Sequence, residues 1–294
     1  MMPGASTDFA ARCAEVAPGF VAAGSIRRGR KSELLPGTIE GAQVIAKRLL
    51  RPNAVWDWYF AREVAIYRAF AAVPPPFAVP RVHAVADDVI VIERFPAALA
   101  SLRRPSVALP AATVEGLLAM HAAIAGYEFP GVPLPPKVKP QLERRLLEDP
   151  TDPAWIRDGL LRCHARGLID DDTCDAAAAT LVEAPIAASH GDVLLRNAMQ
   201  RADGTVVLVD WECAGRHVAD WDLALLWTQL APACRPVVDA VIGGEARRRA
   251  FDALITFALC RELVFLDAFR TPADHRGRRQ VLAELTTAAI RIAG

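Results

Sequence analysis

The stretch Ser189-His190-Gly191-Asp192-Val193-Leu194-Leu195-Arg196-Asn197, followed by Thr205-Val206-Val207-Leu208-Val209-Asp210-Trp211-Glu212, decides how this chain is read. The second segment comes after Ala202-Asp203-Gly204, a turn signal, and its β-branched and apolar run reads as a short buried strand. That strand delivers Asp210 at its C-terminal end. The first segment sets a carboxylate, Asp192, and an amide, Asn197, five positions apart in a loop. Phosphoryl transfer calls for a carboxylate to orient or deprotonate an acceptor hydroxyl, and for oxygen ligands to Mg²⁺ on nucleotide phosphates. Asp192, Asn197 and Asp210 are a matching set. Any one of them alone reads as a turn former bonding its own backbone. The three at this spacing, with further matches upstream, favour the chemical reading.

With Asp220-Trp221-Asp222-Leu223-Ala224 following, the His-Gly-Asp-x4-Asn and Val-Asp-Trp-Glu pair resembles the catalytic loop and metal-binding strand of the aminoglycoside phosphotransferase family, whose fold is similar to that of protein kinases. The resemblance implies that Asp192 orients the acceptor hydroxyl and accepts its proton, and that Asn197 and Asp210 hold Mg²⁺. It also implies that Asp222 braces the loop from the following helix and that His190 is structural, bonding backbone near Asp210. Gly191 stands where many protein kinases have Arg, so no phosphorylated activation segment is expected to pair there. Glu212 is either a residue behind the metal or an acceptor contact.

At 294 residues the chain has length for one large or two ordinary domains. A hydrophobic share of 53% with 23% charged residues is globular and excludes a disordered chain. Lys plus Arg and Asp plus Glu each total 34, so the formal charge is zero and gives no ground for a nucleic-acid or membrane partner. The six cysteines form no Cys-x-x-Cys pair. Neither a zinc site nor a disulfide framework is expected, and a reducing, cytoplasmic compartment is the simpler reading. No signal peptide is visible at Met1-Met2-Pro3-Gly4, and no apolar run is long enough to span a bilayer.

Upstream, a short helix is expected over Asp8 to Val16 and strand character over Gly19 to Arg28. Next come Arg28-Gly29-Arg30-Lys31-Ser32, Glu33-Leu34-Leu35 and a Pro36-Gly37 turn. Strand, glycine turn, strand is how a loop lies over nucleotide phosphates, which points to Gly29 and Ser32. A basic surface hairpin explains the same residues, and both readings stay open. In the strand Ala42 to Leu50, alternation sets Ile45, Lys47 and Leu49 on one face. An unpaired ammonium there is costly, and Lys47 resembles the strand lysine that grips nucleotide phosphates. The alternative is a snorkelling surface lysine. Val55 to Ala72 reads as a helix with Trp56, Tyr59, Phe60, Ile66, Tyr67 and Phe70 in its apolar stripe. Glu63 falls inside that stripe and needs a partner, for which Lys47 is the candidate; solvent exposure is the alternative. Two strands around Asp87-Asp88, Val79 to Val85 and Asp88 to Phe95, complete a first unit. The resemblance makes the second of them the approach to an interlobe hinge, where Glu93, Arg94 and Phe95 would bind a purine edge.

Beyond the Pro96 to Pro110 linker, helices are expected over Ala111 to Gly126, Gln141 to Glu148, Pro153 to Arg166, Asp171 to Glu183, Ala246 to Phe269 and Gly277 to Ala293. His121 reads as a packed structural histidine, and Asp170-Asp171-Asp172 as an N-capping cluster. Trp155, Trp211, Trp221 and Trp227 read as core, with stacking on an acceptor ring as the alternative.

The expectation is therefore an α+β, protein-kinase-like fold with two lobes. Residues 1–95 would bind nucleotide, 96–110 form the hinge, and 111–294 a helical lobe with the catalytic loop and acceptor site. The implied reaction moves the γ-phosphate of ATP or GTP, with Mg²⁺, to the hydroxyl of a small molecule. That acceptor is expected to be a sugar- or nucleoside-bearing antibiotic, an aminoglycoside included, with the protein conferring resistance; a metabolite such as choline, homoserine or a ribose derivative is the alternative. A protein kinase is disfavoured because only nine residues separate Glu212 from Asp222. A non-catalytic relative is disfavoured because Asp192, Asn197, Asp210 and Lys47 are all present.

Overall fold

Alternating apolar residues in the first part of the chain build an antiparallel sheet. Its strands are β1 (Val21–Ala22), β2 (Arg27–Arg28), β3 (Ser32–Ile39), β4 (Ala42–Leu49), β5 (Val82–Val85) and β6 (Ile90–Glu93). The order is β1-β3-β4-β6-β5, with β2 also on β3. The structure is a computed structural model and describes residues 4–29, 31–50, 54–100, 106–129, 154–269 and 272–293. The expected helix Gln141 to Glu148 lies outside the described residues, as does the side chain of Trp155.

The hairpin between β3 and β4 turns at Glu40 and Gly41, both with positive φ (50° and 83°), the backbone of a tight two-residue connection. The expected turn at Pro36-Gly37 is instead strand interior. Alternate pairs of an antiparallel ladder exchange hydrogen bonds. Counting from the turn pair Ile39↔Ala42 makes Pro36↔Ile45 a non-bonded pair. On the other side, Pro36 falls between the short pairings of β1 and β2. A residue without an N–H therefore interrupts nothing there. The strand expected over Gly19 to Arg28 is likewise two two-residue pieces.

The alternation in β4 sorts its side chains into two cores. Val44 and Ala46 are fully buried with Phe9 and Cys13 of the leading helix α1 (Gly4–Val16), and with Leu35, Val89 and Val91. Ile45 and Leu49 pack against the second core. That core begins with Phe60, Ile66, Tyr67 and Phe70 of α2 (Ala54–Ala72) and runs on into the helical part of the chain. Lys47 lies on this second face.

The helical part comprises α3 (Ala111–Ala125), α4 (Ala154–His164), α5 (Asp171–Glu183), α6 (Trp221–Gln229), α7 (Arg235–Asp239), α8 (Glu245–Phe269) and α9 (Pro272–Ala293). Asp170 caps α5 by accepting from the Thr173 N–H at 2.8 Å, as the acidic cluster suggested. Two small antiparallel pairs sit among these helices: β7 (Ile186–Ser189) with β10 (Gly215–Val218), and β8 (Ala198–Gln200) with β9 (Val206–Leu208). Trp211 and Trp221 are fully buried, and Trp227 is nearly so. The segment after β6 is tied down: Leu99 N–H donates to Ala198 O at 2.8 Å and Ala100 N–H to Leu195 O at 3.2 Å. No helix among the described residues is long and apolar enough to cross a membrane.

Candidate active site

The loop from β7 to β8 carries Asp192 and Asn197, and its backbone is held from behind. The Asp222 carboxylate, near the start of α6, accepts from His190 N–H at 2.7 Å and Gly191 N–H at 2.9 Å. The Trp221 indole donates to Gly191 O at 3.0 Å. The His190 ring nitrogen Nε2 lies 3.1 Å from Val209 O, next to Asp210, where the structural role was expected. Gly191 has φ 81°, and a Cβ there would come within 2.2 Å of Cys213 O. Neither arginine nor any other side chain fits.

Within the loop, the Asn197 amide donates to Asp192 O at 3.0 Å and to Asp192 Oδ2 at 3.1 Å. That orientation leaves the amide oxygen of Asn197 as its free ligand atom. Asp192 is almost wholly buried. Two guanidiniums flank its carboxylate, Arg196 at 3.6 Å and Arg261 at 3.5 Å.

Asp210, two residues beyond β9, is in a left-handed conformation (φ 66°, ψ 58°), which short polar side chains tolerate better than most. Lys47 reaches it at 2.5 Å and Glu63 at 2.6 Å, so the expected lysine–glutamate pair forms and extends to the aspartate. Lys31 contacts Glu212 and lies 3.9 Å from Asp210. Glu63, Asp210 and Glu212 each place a carboxylate oxygen within 4.8 Å of the others. Burial works against the charge on Asp210, but Lys47 and Lys31 outweigh it and hold the carboxyl far below its usual range. Burial, followed by the charge of Asp210, pushes Glu212 up to about 7. Burial also raises Glu63, against the pull of Lys47. Lys47 stays well above its ordinary value despite its burial, because Asp210 and Glu63 stabilise the ammonium.

Lys31, Lys47, Glu63 and Asp210 open onto one cavity of about 360 Å³ between the sheet and the β7–β8 loop. Lys47, Glu63, Ser32, Glu93, Phe95, Asn197 and Asp210 all line it. Asp192 is not among the lining residues; it adjoins the cavity through its hydrogen bond from Asn197. Gly29 is not among the lining residues; Lys31, two positions on, takes that place. Gly29 instead closes its own turn, its N–H donating to Ser32 O at 2.8 Å. The Glu93 carboxylate is engaged by Arg201 at 2.6 Å, a clasp between the sheet and the β8–β9 hairpin. The Glu93 and Arg94 N–H groups donate to Arg81 O and Gln43 O. Of the Glu93, Arg94 and Phe95 N–H groups, that of Phe95 has no protein acceptor among the described residues. Arg27, Lys31, Lys47, Arg94 and Arg196 make the lining cation-rich, which suits a polyphosphate.

His121 is packed, its Nε2 lying 3.4 Å from Asp220 Oδ1. Sequence reasoning did not find Arg62, whose guanidinium donates to Glu212 O at 3.0 Å and to Ala214 O. Nor did it find Gln229, which accepts from Leu195 N–H at 2.8 Å and donates to Val193 O at 3.1 Å. Arg62 sits beside Glu63 in the sequence, so the crowded polar positions on a buried helix face were the available signal.

The profile of the phosphotransferase enzyme family, APH, matches residues 48–259. The chain belongs to that family. No curated protein matches it in sequence. Among solved structures it is similar to macrolide 2′-phosphotransferase MphH from Brachybacterium faecium, at 16% identity and TM-score 0.59, over 96% of this chain and 98% of that one. A proposed fructosamine-3-kinase from Thermobifida fusca is 21% identical with TM-score 0.56, over 96% and 98% of the two chains. A thermostable mutant of the aminoglycoside phosphotransferase APH(4)-Ia, in a ternary complex with ADP and hygromycin B, is 15% identical with TM-score 0.55, over 97% of each chain. The fold is thus the kinase-like phosphotransferase fold, and the chain is a small-molecule phosphotransferase.

Proposed function

We propose that this phosphotransferase moves the γ-phosphoryl group of ATP or GTP to a hydroxyl of a sugar- or nucleoside-bearing antibiotic and so confers resistance. The observation that carries the catalytic reading is the convergence of Lys47, Asn197 and Asp210 on one cavity, with Asp192 hydrogen-bonded to Asn197. In this reading Asp192 orients the acceptor hydroxyl and takes up its proton. Lys47, positioned by Glu63, neutralises the phosphates, and Phe95 N–H meets the purine edge. Asp210 and the Asn197 amide oxygen are hard oxygen donors of the kind Mg²⁺ takes, and would hold it. Bound there, Mg²⁺ supplies charge neutralisation of the transferred phosphoryl group. Residues 1–95 act as the nucleotide lobe, 96–110 as the hinge and 111–294 as the catalytic and acceptor lobe. The six cysteines are all free, in keeping with a cytoplasmic location.

The guanidiniums of Arg196 and Arg261 beside Asp192 put positive charge where the acceptor hydroxyl docks. That disfavours a polycation and favours a neutral glycoside. A metabolic kinase is the second reading, favoured by the sequence identity to the proposed fructosamine-3-kinase, which exceeds that to the two antibiotic enzymes. Triphosphate consumption with Mg²⁺ against a panel of macrolides, aminoglycosides, nucleoside antibiotics and common metabolites tests both. Turnover confined to antibiotics, with raised tolerance on expression in a susceptible bacterium, is the expected result. Turnover on a metabolite alone would establish the second reading, and activity surviving EDTA would remove the metal roles.

A further inference from the structure

Lys31 has no part in the roles assigned above, yet it lines the same cavity as Lys47 and Asp210. Its backbone is fixed at the end of the sheet, Leu50 N–H donating to Lys31 O at 2.8 Å. The side chain turns inward and is about three-quarters buried (side-chain exposure 23%). Its ammonium contacts the Glu212 carboxylate and lies 3.9 Å from Asp210. A buried lysine needs such partners, but a surface hairpin has no need to bury one. The arrangement repeats that of Lys47 and Glu63 from the other side of Asp210. In each case a strand-end or strand lysine is aimed by a glutamate, and both ammoniums converge on the same aspartate.

We propose that Lys31 is a second phosphate-binding lysine, aimed by Glu212, that grips the terminal phosphates of the nucleoside triphosphate. The proposal rests on the phosphotransferase reading of the cavity. It also explains how a turn with one glycine, not itself at the cavity, serves a polyphosphate. Where backbone N–H groups do not approach, a long cationic side chain does. Glu212 then acts as a positioning residue, and Arg62, bonded to the Glu212 carbonyl, fixes the segment that carries it.

The test is equilibrium binding, measured by calorimetry with Mg²⁺, of the non-hydrolysable imido analogues of ATP and GTP, and of adenosine and guanosine. Lys31→Met is expected to weaken binding of the preferred analogue about ten- to hundredfold, the scale of one charge-assisted hydrogen bond. Binding of the unphosphorylated nucleoside should change less than about twofold. Lys31→Arg should recover part of the loss. Glu212→Gln should weaken the analogue by itself and add little when combined with Lys31→Met, because both changes disable one device. Unchanged analogue affinity, an equal loss for nucleoside and analogue, or additive effects of the two changes would each overturn the proposal. Thermal midpoints of the variants identify a misfolded protein, for which Lys31→Arg gives the milder substitution. If the unaltered protein binds neither analogue, the phosphotransferase reading falls first and this proposal with it.

Discussion

Around Asp192 the backbone is gripped from behind by Asp222, Trp221 and Gln229, whereas the turn carrying Lys31 meets the cleft through side-chain ion pairs. The first arrangement is buried and directional. Hydrogen bonds to a charged group contribute about 1.5–3 kcal/mol each, and stranding one costs more. The second uses long side chains, whose ammonium can follow a ligand with little backbone change. The difference fits what the proposed function asks of each end of the cleft. In the proposed reaction the Asp192 carboxylate must be in place before the acceptor arrives, since phosphoryl transfer depends mostly on positioning. The phosphate end has to admit and release a polyanion at every turnover.

The largest expected effect comes from removing the group that the rigid end exists to place. Asp192→Ala should lower turnover by about 10²–10⁴-fold, the range for losing a positioned proton acceptor. The thermal midpoint should change little or rise, because the substitution removes a buried carboxylate. Steady-state rates and melting curves check this. Near-normal turnover would break the comparison at its root, since the rigid loop would then be holding something other than the reacting group.

Next comes the brace. Asp222→Ala leaves the buried His190 N–H without its acceptor and the Gly191 N–H with only Ser189 Oγ, at 3.1 Å. It should destabilise the protein by about 2–5 kcal/mol, read from denaturant unfolding. Turnover should fall more than nucleotide affinity does. Equal losses in the two would mean that the brace supports the whole cleft and not the catalytic loop.

These braces were partly legible before the structure. His190 stands in the same motif as Asp192, and Asp222 in the Asp-x-Asp-Leu-Ala stretch that carries the family resemblance. Lys47 and Glu63 were legible because a charge on an apolar strand face and another in an apolar helix stripe each demand a partner. Lys31 with Glu212 was not, since the two are 181 positions apart and nothing in the sequence marks Lys31 as facing inward. The turn at Pro36-Gly37 was misplaced for a related reason. A proline breaks a strand only where its missing N–H would have been used, and pairing in the folded sheet decides that. Glu40, whose positive φ makes the real turn, has no propensity that announces it. The same limit applies to Glu93, whose carboxylate went to Arg201 from a hairpin far along the chain.

Acid sharpens the comparison further, because Asp220, next to the brace, is itself held as a charged group. Burial opposes its ionisation, but Arg247 at 2.7 Å and then His121 outweigh it and bring the carboxyl from 3.8 down to about 2. A carboxyl depressed by folding contributes stability that is fully present above its unfolded value and is lost as pH falls through the folded one. The stability difference between the unaltered protein and Asp220→Asn should therefore be constant above about pH 5 and shrink between 3.8 and about 2. Unfolding midpoints across that range measure it. A difference that does not depend on pH would assign Asp220 to shape alone.

The smallest expected effect is at the flexible end, where a substitution should do almost nothing. Gly29 was the residue through which the turn was to approach phosphates, and the open alternative was a basic surface hairpin. Its φ is not in the left-handed region, and a Cβ placed on it would meet Ser32 O at 3.3 Å, tight but relieved by a small shift in an exposed turn. It lies off the cavity that Lys31 lines. Gly29→Ala is therefore expected to change stability by less than about 0.5 kcal/mol, the scale of ordinary surface substitutions. The KM for the nucleotide should stay within about twofold, far below the change that loss of a charge-assisted phosphate contact brings. Parallel kinetics on Gly29→Ala and Lys31→Met separate the two ways of building a phosphate grip. If Gly29→Ala raised the nucleotide KM tenfold while Lys31→Met did not, backbone N–H groups would be holding the phosphates. The contrast between a rigid catalytic end and a side-chain-built phosphate end would then have to be abandoned.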